Sequence, residues 1–177
     1  MPDKGDPQAR FDAALTLWRN NQIGEAEEAF VSLAQDFPQH AGPWTNLGIL
    51  YAISNRREQA VGALTKAASL NPKNKVAYNW LGILSRESGD LNRARLAYDK
   101  ALQLDPDYAL AHYNLGLLLD AHLKQPAAAL PHYRAYLQDG AADDLRVLAW
   151  IAEIEAAARP APQPPAAGTV PATDTAP

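Results

Sequence analysis

The side chains of this sequence that could do acid–base, metal or nucleophilic chemistry are scattered. The four histidines are His40, His112, His122 and His132, and none lies four residues from another, the spacing that sets two metal ligands on one helix face. His122 and His132 follow His112 at ten-residue steps, and on a helix of about 3.6 residues per turn such steps point in different directions. Glu25, Glu27 and Glu28 cluster as a solvated helix face does. Cysteine is absent, which excludes disulfides and thiol catalysis. The sequence contains no Gly-rich phosphate loop and no nucleophile elbow. It therefore predicts no catalytic residue, no metal and no cofactor. What remains is recognition chemistry: asparagines such as Asn46 and Asn114 carry both a donor and an acceptor, and Trp18, Trp80 and Tyr113 supply large contact area at low entropy cost.

The elements that must hold these residues are marked by a repeat. Pro38, Pro72 and Pro106 stand 34 residues apart. Between them Trp44, Leu47, Gly48, Tyr51, Ala60, Leu64 and Ala67 return in phase as Tyr78, Leu81, Gly82, Ser85, Ala94, Tyr98 and Ala101. An earlier unit is degenerate at its front, with Arg10, Ala13, Ala14 and Leu17, and regains phase at Ala26, Phe30, Leu33 and Pro38. A fourth opens with His112, Leu115, Gly116 and Leu119, whereas Ala129, Tyr133 and Tyr136 keep phase only with one residue inserted near Gln125 and Pro126.

Within a unit the apolar residues recur at helical spacing, as Trp44, Leu47, Leu50 and Tyr51 and then Ala60, Leu64 and Ala67, which predicts one apolar face on each of two helices. A glycine inside a helix costs about 0.5 to 1 kcal/mol relative to alanine, so the small residues Ala14, Gly48, Gly82 and Gly116 imply a close helix contact. Asn21-Gln22, Asn55-Arg56, Gly89-Asp90 and Lys124-Gln125-Pro126 read as turns, and the unit-ending prolines stop the second helix. The expectation is a stack of antiparallel helix pairs.

An aromatic, Leu-Gly, a second aromatic, a spaced alanine and a closing proline at this period make residues 7–140 similar to the tetratricopeptide repeat family. The resemblance implies an all-α, right-handed superhelical solenoid with units 7–40, 41–74, 75–108 and 109–140. It also implies that the first helices line a concave groove for an extended or helical peptide of a protein partner. Steps of 34 then give three groove columns: Phe11, Thr45, Asn79 and Tyr113; Leu15, Ile49, Ile83 and Leu117; and Asp12, Asn46, Trp80 and Asn114. With Trp18 they form an apolar, amide-lined trough with little charge. Family members that clamp peptide carboxylates place several lysines and arginines here, because a carboxylate needs charge-assisted donors; Phe11, Leu15, Asn79 and Ile83 disfavour that mode. Asn46 and Asn114 either face a peptide backbone, in a ladder interrupted by Trp80, or bond within their helices or to water. The Leu15 column either packs against neighbouring helices or receives an amphipathic helix.

The ends differ from the middle. Residues 1–6 are expected to be a flexible N-terminus, with Asp6 before Pro7 as a helix start. Residues 141–158 are expected to form a capping helix striped with Val147, Leu148, Ile151 and Ile154, a lid for the last unit. After Arg159 the Pro/Ala-rich segment 160–177 reads as a disordered tail. The net charge of −4 without a basic stripe argues against nucleic acid, and no run of about 18 apolar residues offers a transmembrane segment. The first residues lack the apolar core of a secretory signal. As written, the chain reads as cytoplasmic, or as periplasmic or tethered to an outer membrane if a leader has been removed. Its expected role is a non-enzymatic protein-interaction adaptor, by fold analogy one that serves a bacterial envelope complex. The alternative is a structural subunit that self-associates, or packs into a larger assembly, through its convex face or C-terminal helix. The oligomeric state is left open.

Overall fold

A computed structural model describes residues 4–138 and 142–159. Their regular structure is all helical: α1 (Pro7–Arg19), α2 (Ile23–Asp36), α3 (Ala41–Ile53), α4 (Arg57–Leu70), α5 (Lys75–Glu87), α6 (Leu91–Leu104), α7 (Ala109–Leu117), a π-helical segment (Leu118–His122), α8 (Pro126–Gln138) and α9 (Leu145–Ala157). The segment expected as a tail, 160–177, and the junction at 139–141 lie outside the described residues.

Helix starts follow from short polar side chains. Asp6 accepts from the Gln8 and Ala9 amides, Asn74 from Ala77, Asp90 from Arg93, and Asp144 from Arg146 and Val147. Each satisfies amides that a helix N-terminus leaves without an internal partner. Lys4 is tied to the first unit, its backbone oxygen accepting from Arg10 at 2.6 Å and its Nζ donating to the Asp36 carbonyl at 2.9 Å. At the far ends, α2, α4 and α6 stop at Asp36, Leu70 and Leu104, two residues before their prolines.

The turn inside each pair needs one left-handed residue, supplied by Asn21 (φ 61°), Asn55 (φ 58°), Gly89 (φ 84°) and Lys124 (φ 56°). The first three are 34 residues apart and the last is 35 residues on. The extra residue of the fourth unit therefore enters before Lys124, upstream of the Gln125–Pro126 position expected from side-chain phase. It is taken up where the Leu123 amide donates to the Leu118 carbonyl at 2.9 Å, a bond closing over five residues that widens α7 into a π turn.

Consecutive helices pack as pairs, α1 on α2 through α7 on α8, and each second helix packs on the next first helix. The first helices α3, α5 and α7 also touch one another in succession, and α2, α4, α6 and α8 make no comparable contact among themselves within the described residues. The stack is therefore curved with its first helices inside. Its core is a seam in three stretches, one around Phe30, Leu33, Leu47 and Leu50, one around Leu64, Ala67 and Leu84, and one around Tyr98, Leu115, Leu118 and Tyr133. Such a seam is the core expected of a repeat stack. The small residues sit where a large side chain crosses. A Cβ on Gly82 would stand 2.5 Å from Tyr98 Cε1, and one on Gly116 would stand 2.6 Å from Tyr133 Cε1.

α9 covers the last pair with Val147 fully buried and Trp150, Ile151 and Ile154 packed on the final stretch of seam. Leu148, expected in that stripe, stays 41% exposed and Trp150 takes part in its place.

Candidate peptide-binding groove

Each inner helix carries a stripe at steps of four and three residues, the spacing of one helix face. The stripes are Phe11, Leu15 and Trp18 on α1; Thr45, Ile49 and Ala52 on α3; Asn79, Ile83 and Arg86 on α5; and Tyr113 and Leu117 on α7, continued by Asp120 in the π segment. Phe11 and Trp18 meet Phe30 edge-on at 5.6 and 6.3 Å, and Leu15 packs beside them. Between the starts of α1 and α3 a cleft of about 220 Å³ opens among Pro7, Gln8, Phe11, Leu33, His40, Gly42 and Pro43.

The polar members of the expected site are bonded into the stack. Thr45 is buried, donates to the Ala41 carbonyl at 2.9 Å and accepts from Asn74 Nδ2 at 2.7 Å. Asn46 donates to the Gly42 carbonyl of its own helix at 3.0 Å, which is the within-helix alternative. Asn79 and Asn114 are both buried, and Asn114 Nδ2 donates to Asn79 Oδ1 at 3.1 Å. That bond joins two of the expected columns across α5 and α7. Ile49, Trp80, Ile83 and Leu117 are half-buried; Trp80 lies against the middle stretch of seam, on which Trp44 and Tyr51 also pack. Tyr113 ends the row, its ring 4.9 Å from Tyr136 and 6.4 Å from Trp150. Asp12, opposite in type to its column, is exposed and accepts from Gln8 at 2.9 Å.

Two features escaped the sequence reading. One is Arg86, which continues the Asn79–Ile83 stripe by one further step. The other is a histidine pair, because the antiparallel return of α8 brings His132 onto His112, with Nδ1 to Nδ1 at 2.9 Å. His112 Nε2 lies 2.8 Å from the Pro106 carbonyl, much as Trp44 Nε1 lies 3.3 Å from that of Pro38. A carbonyl only accepts, so Nε2 of His112 carries the proton and its Nδ1 receives the Nδ1–H of His132. Burial, together with the neighbouring His112, holds His132 below the ordinary histidine range. His122 is exposed. His112 is half-buried at the place that Trp44 and Tyr78 hold in the two preceding units.

Units are also tied by ion pairs on the flanks. Arg56 donates twice to Glu27, at 2.8 and 2.5 Å, across the first two units; these bonds hold the Glu27 carboxyl below its usual range. Lys75 pairs with Asp105 and lies 4.9 Å from the centre of the Tyr108 ring. Among the described residues no three potential metal ligands cluster, and no helix is long and apolar enough to cross a membrane.

Curved helix pairs with an inner face of apolar and amide side chains define a helical-repeat interaction scaffold. Family models described as tetratricopeptide repeat match residues 11–74 and 63–96, and one described as TPR repeat matches residues 84–121. The chain is a tetratricopeptide repeat protein, and proteins of this family generally serve as non-catalytic interaction modules. No curated protein matches its sequence. Solved structures share its fold. A thermophilic TPR protein of Thermus thermophilus, TTC0263, is 22% identical with a TM-score of 0.70, over 86% of this chain and 82% of that one. The pilF protein of Pseudomonas aeruginosa is 19% identical with a TM-score of 0.75, over 85% and 68%. MamA is 21% identical with a TM-score of 0.68, over 81% and 83%.

Proposed function

We propose that the chain is a non-enzymatic adaptor that holds an apolar segment of a partner protein, extended or helical, along the inner faces of α1, α3, α5 and α7. The observation that carries this is the placement of large apolar side chains. On the inner helices Ile53 is 56% exposed and Leu110 is 53% exposed, flanking the half-buried Ile49, Trp80, Ile83 and Leu117. Exposed large apolar side chains that border a half-buried apolar row fit a place where another molecule sits. The buried amides Asn79 and Asn114 bond to each other and tie α5 to α7, which leaves contact with a partner to the apolar side chains.

The test is affinity capture from source-cell extract with the wild-type chain beside Ile53→Asp/Trp80→Ala/Leu110→Asp. Helicity should persist while the captured protein is lost. An unchanged captured set would put the site elsewhere. The finer proposal is service in assembling a bacterial envelope complex such as a pilus, secretion or transport machine. Its support is analogy of fold, and a captured partner with no envelope role would overturn it.

A second reading has its own support on the outer face and on α9. Leu96 is 70% exposed, Val61 41% and Leu145 77%, which favours a structural subunit that packs through its convex side or C-terminal helix. Light scattering decides it, because a concentration-independent monomer overturns self-association.

A further inference from the structure

Four arginines are partly buried among the described residues: Arg10, Arg56, Arg57 and Arg86. Arg10 pairs with Asp36 at 2.7 Å, Arg56 with Glu27 at 2.5 Å and Arg57 with Glu87 at 3.5 Å. Among the described residues Arg86 has no carboxylate within ion-pair distance, and its Nε is buried without a hydrogen-bond partner. Beside it lies the buried hydroxyl of Tyr98, which makes no hydrogen bond of good geometry but stands close enough to the guanidinium for Arg86 to act on the phenol. A buried donor left without an acceptor costs stability, more so when it belongs to a charged group.

The fourth unit shows what completes such a place. There the equivalent tyrosine, Tyr133, donates to Asp120 Oδ2 at 3.3 Å, and Asp120 is one unit on from Arg86. Where the fourth unit sets a carboxylate against a tyrosine hydroxyl, the third sets a guanidinium. The third unit thus leaves a guanidinium Nε–H without an acceptor, at the end of the inner stripe that runs through Asn79 and Ile83.

We propose that Arg86, with the Tyr98 hydroxyl behind it, receives a carboxylate from an aspartate or glutamate of the bound partner segment and so fixes the register of that segment in the groove. The proposal rests on the groove reading above. A single carboxylate suits the place better than a phosphate, because the site holds one guanidinium and the Glu87 carboxylate acts on Tyr98 beside it, so a doubly charged ligand would meet repulsion. Arg86 offers paired N–H donors in one plane, which match the geometry of a carboxylate.

A phage-displayed library of random peptides selected on the immobilised full chain tests this directly. Wild type should enrich sequences with Asp or Glu at one fixed distance from apolar residues. Arg86→Met should keep the apolar preference and lose the acid, and Arg86→Glu should replace it with Lys or Arg. A selected acidic peptide and its Asn or Gln counterpart should then differ by about tenfold or more in affinity for wild type, by fluorescence anisotropy at low salt, and bind Arg86→Met alike. Circular dichroism checks each fold. If Arg86→Met fails to fold, Arg86→Lys takes its place and should retain the acidic preference, with that preference weakened by salt. Enrichment of apolar peptides without a fixed acid, or an acid that persists in Arg86→Met, overturns the assignment of Arg86 and leaves the groove reading standing. No enrichment of any peptide overturns both.

Discussion

Gly82 is the sharpest test of how the helix pairs are held. In an exposed helix, glycine to alanine is favourable by about 1 kcal/mol, because alanine loses less backbone freedom on folding. At Gly82 the added methyl would lie 2.5, 2.6 and 2.9 Å from three ring carbons of Tyr98, so relief to ordinary contact needs a shift of about 1 Å between α5 and α6. Tyr98 is fully buried, so its ring cannot move aside into solvent. Overpacking of this kind costs about 1 to 3 kcal/mol. The shortness of all three contacts puts Gly82 at the upper end, for a net loss of about 2 kcal/mol after the gain in propensity. The control is Gly62→Ala on α4, where an added Cβ meets nothing within 4 Å and should gain about 0.5 to 1 kcal/mol. Urea unfolding followed by far-ultraviolet circular dichroism, with both variants beside wild type, reads the two shifts. Opposite signs are expected. A Gly82→Ala midpoint that rises as far as that of Gly62→Ala would refute close approach as the reason for glycine.

The histidine pair predicts a pH dependence. His132 is held below the ordinary histidine value of about 6.5 in the folded chain, so the unfolded chain binds the extra proton first. The stability from this group is present above 6.5 and lost as pH falls from there through the depressed folded value. Protonation of both rings would set two Nδ1–H groups against each other. His132→Phe should flatten that loss between neutral and acidic urea titrations, and an equal loss in the variant would clear the pair of the effect. Lys124 occupies left-handed backbone at φ 56°, so Lys124→Gly should raise the thermal midpoint by an amount corresponding to about 0.5 to 1 kcal/mol, and a fall would show that the side chain matters more than the turn. Val147 of α9 is fully buried against the last pair, and Val147→Ala should cost about 2 kcal/mol of unfolding free energy by loss of two methyl groups and the space they leave; no measurable cost would mean that the lid is not coupled to the stack.

Much of the fold was legible because each unit repeats the same physical statement. Glycine or alanine opposite a large side chain, an apolar stripe on each helix and a proline after the second helix agree in phase, and the structure sets Gly48, Gly82 and Gly116 at the helix crossings. What was not legible depends on rotation between neighbouring units. Columns drawn at steps of 34 align Asn46 with Trp80 and Asn114, whereas the bond that forms joins Asn114 to Asn79, at a separation of 35. Side-chain phase likewise showed that a residue had been added to the fourth unit but not where, because no repeat position lies between Leu119 and Ala129 to fix the place. The His112–His132 contact joins facing helices, so counting turns along a single helix gives no warning of it. Arg86 was within reach of the sequence, since the step from Asn79 to Ile83 needed one more turn.

The position that Arg86 occupies shows how such a stack separates holding from reading. Four places recur at the end of the inner stripe, each beside the large residue that fills the seam. Trp18 stands edge-on to Phe30 at 6.3 Å, Ala52 packs in the stretch that holds Leu64, Arg86 lies by Tyr98, and Asp120 accepts from Tyr133. The seam partners change only between phenylalanine, leucine and tyrosine, and all four are fully buried. The inner residue ranges from indole to methyl to cation to anion. Packing energy comes from the buried member and its facing small residue, because a Cβ added at Gly48, Gly82 or Gly116 would stand under 3 Å from that side chain; the inner member borders solvent and is free to vary in charge. A chain built this way can change what it recognises, unit by unit, by substitutions that leave the helix crossings untouched. The π turn extends that freedom, because it carries Asp120 at the end of the α7 stripe while absorbing a residue that would otherwise shift α8 against the seam.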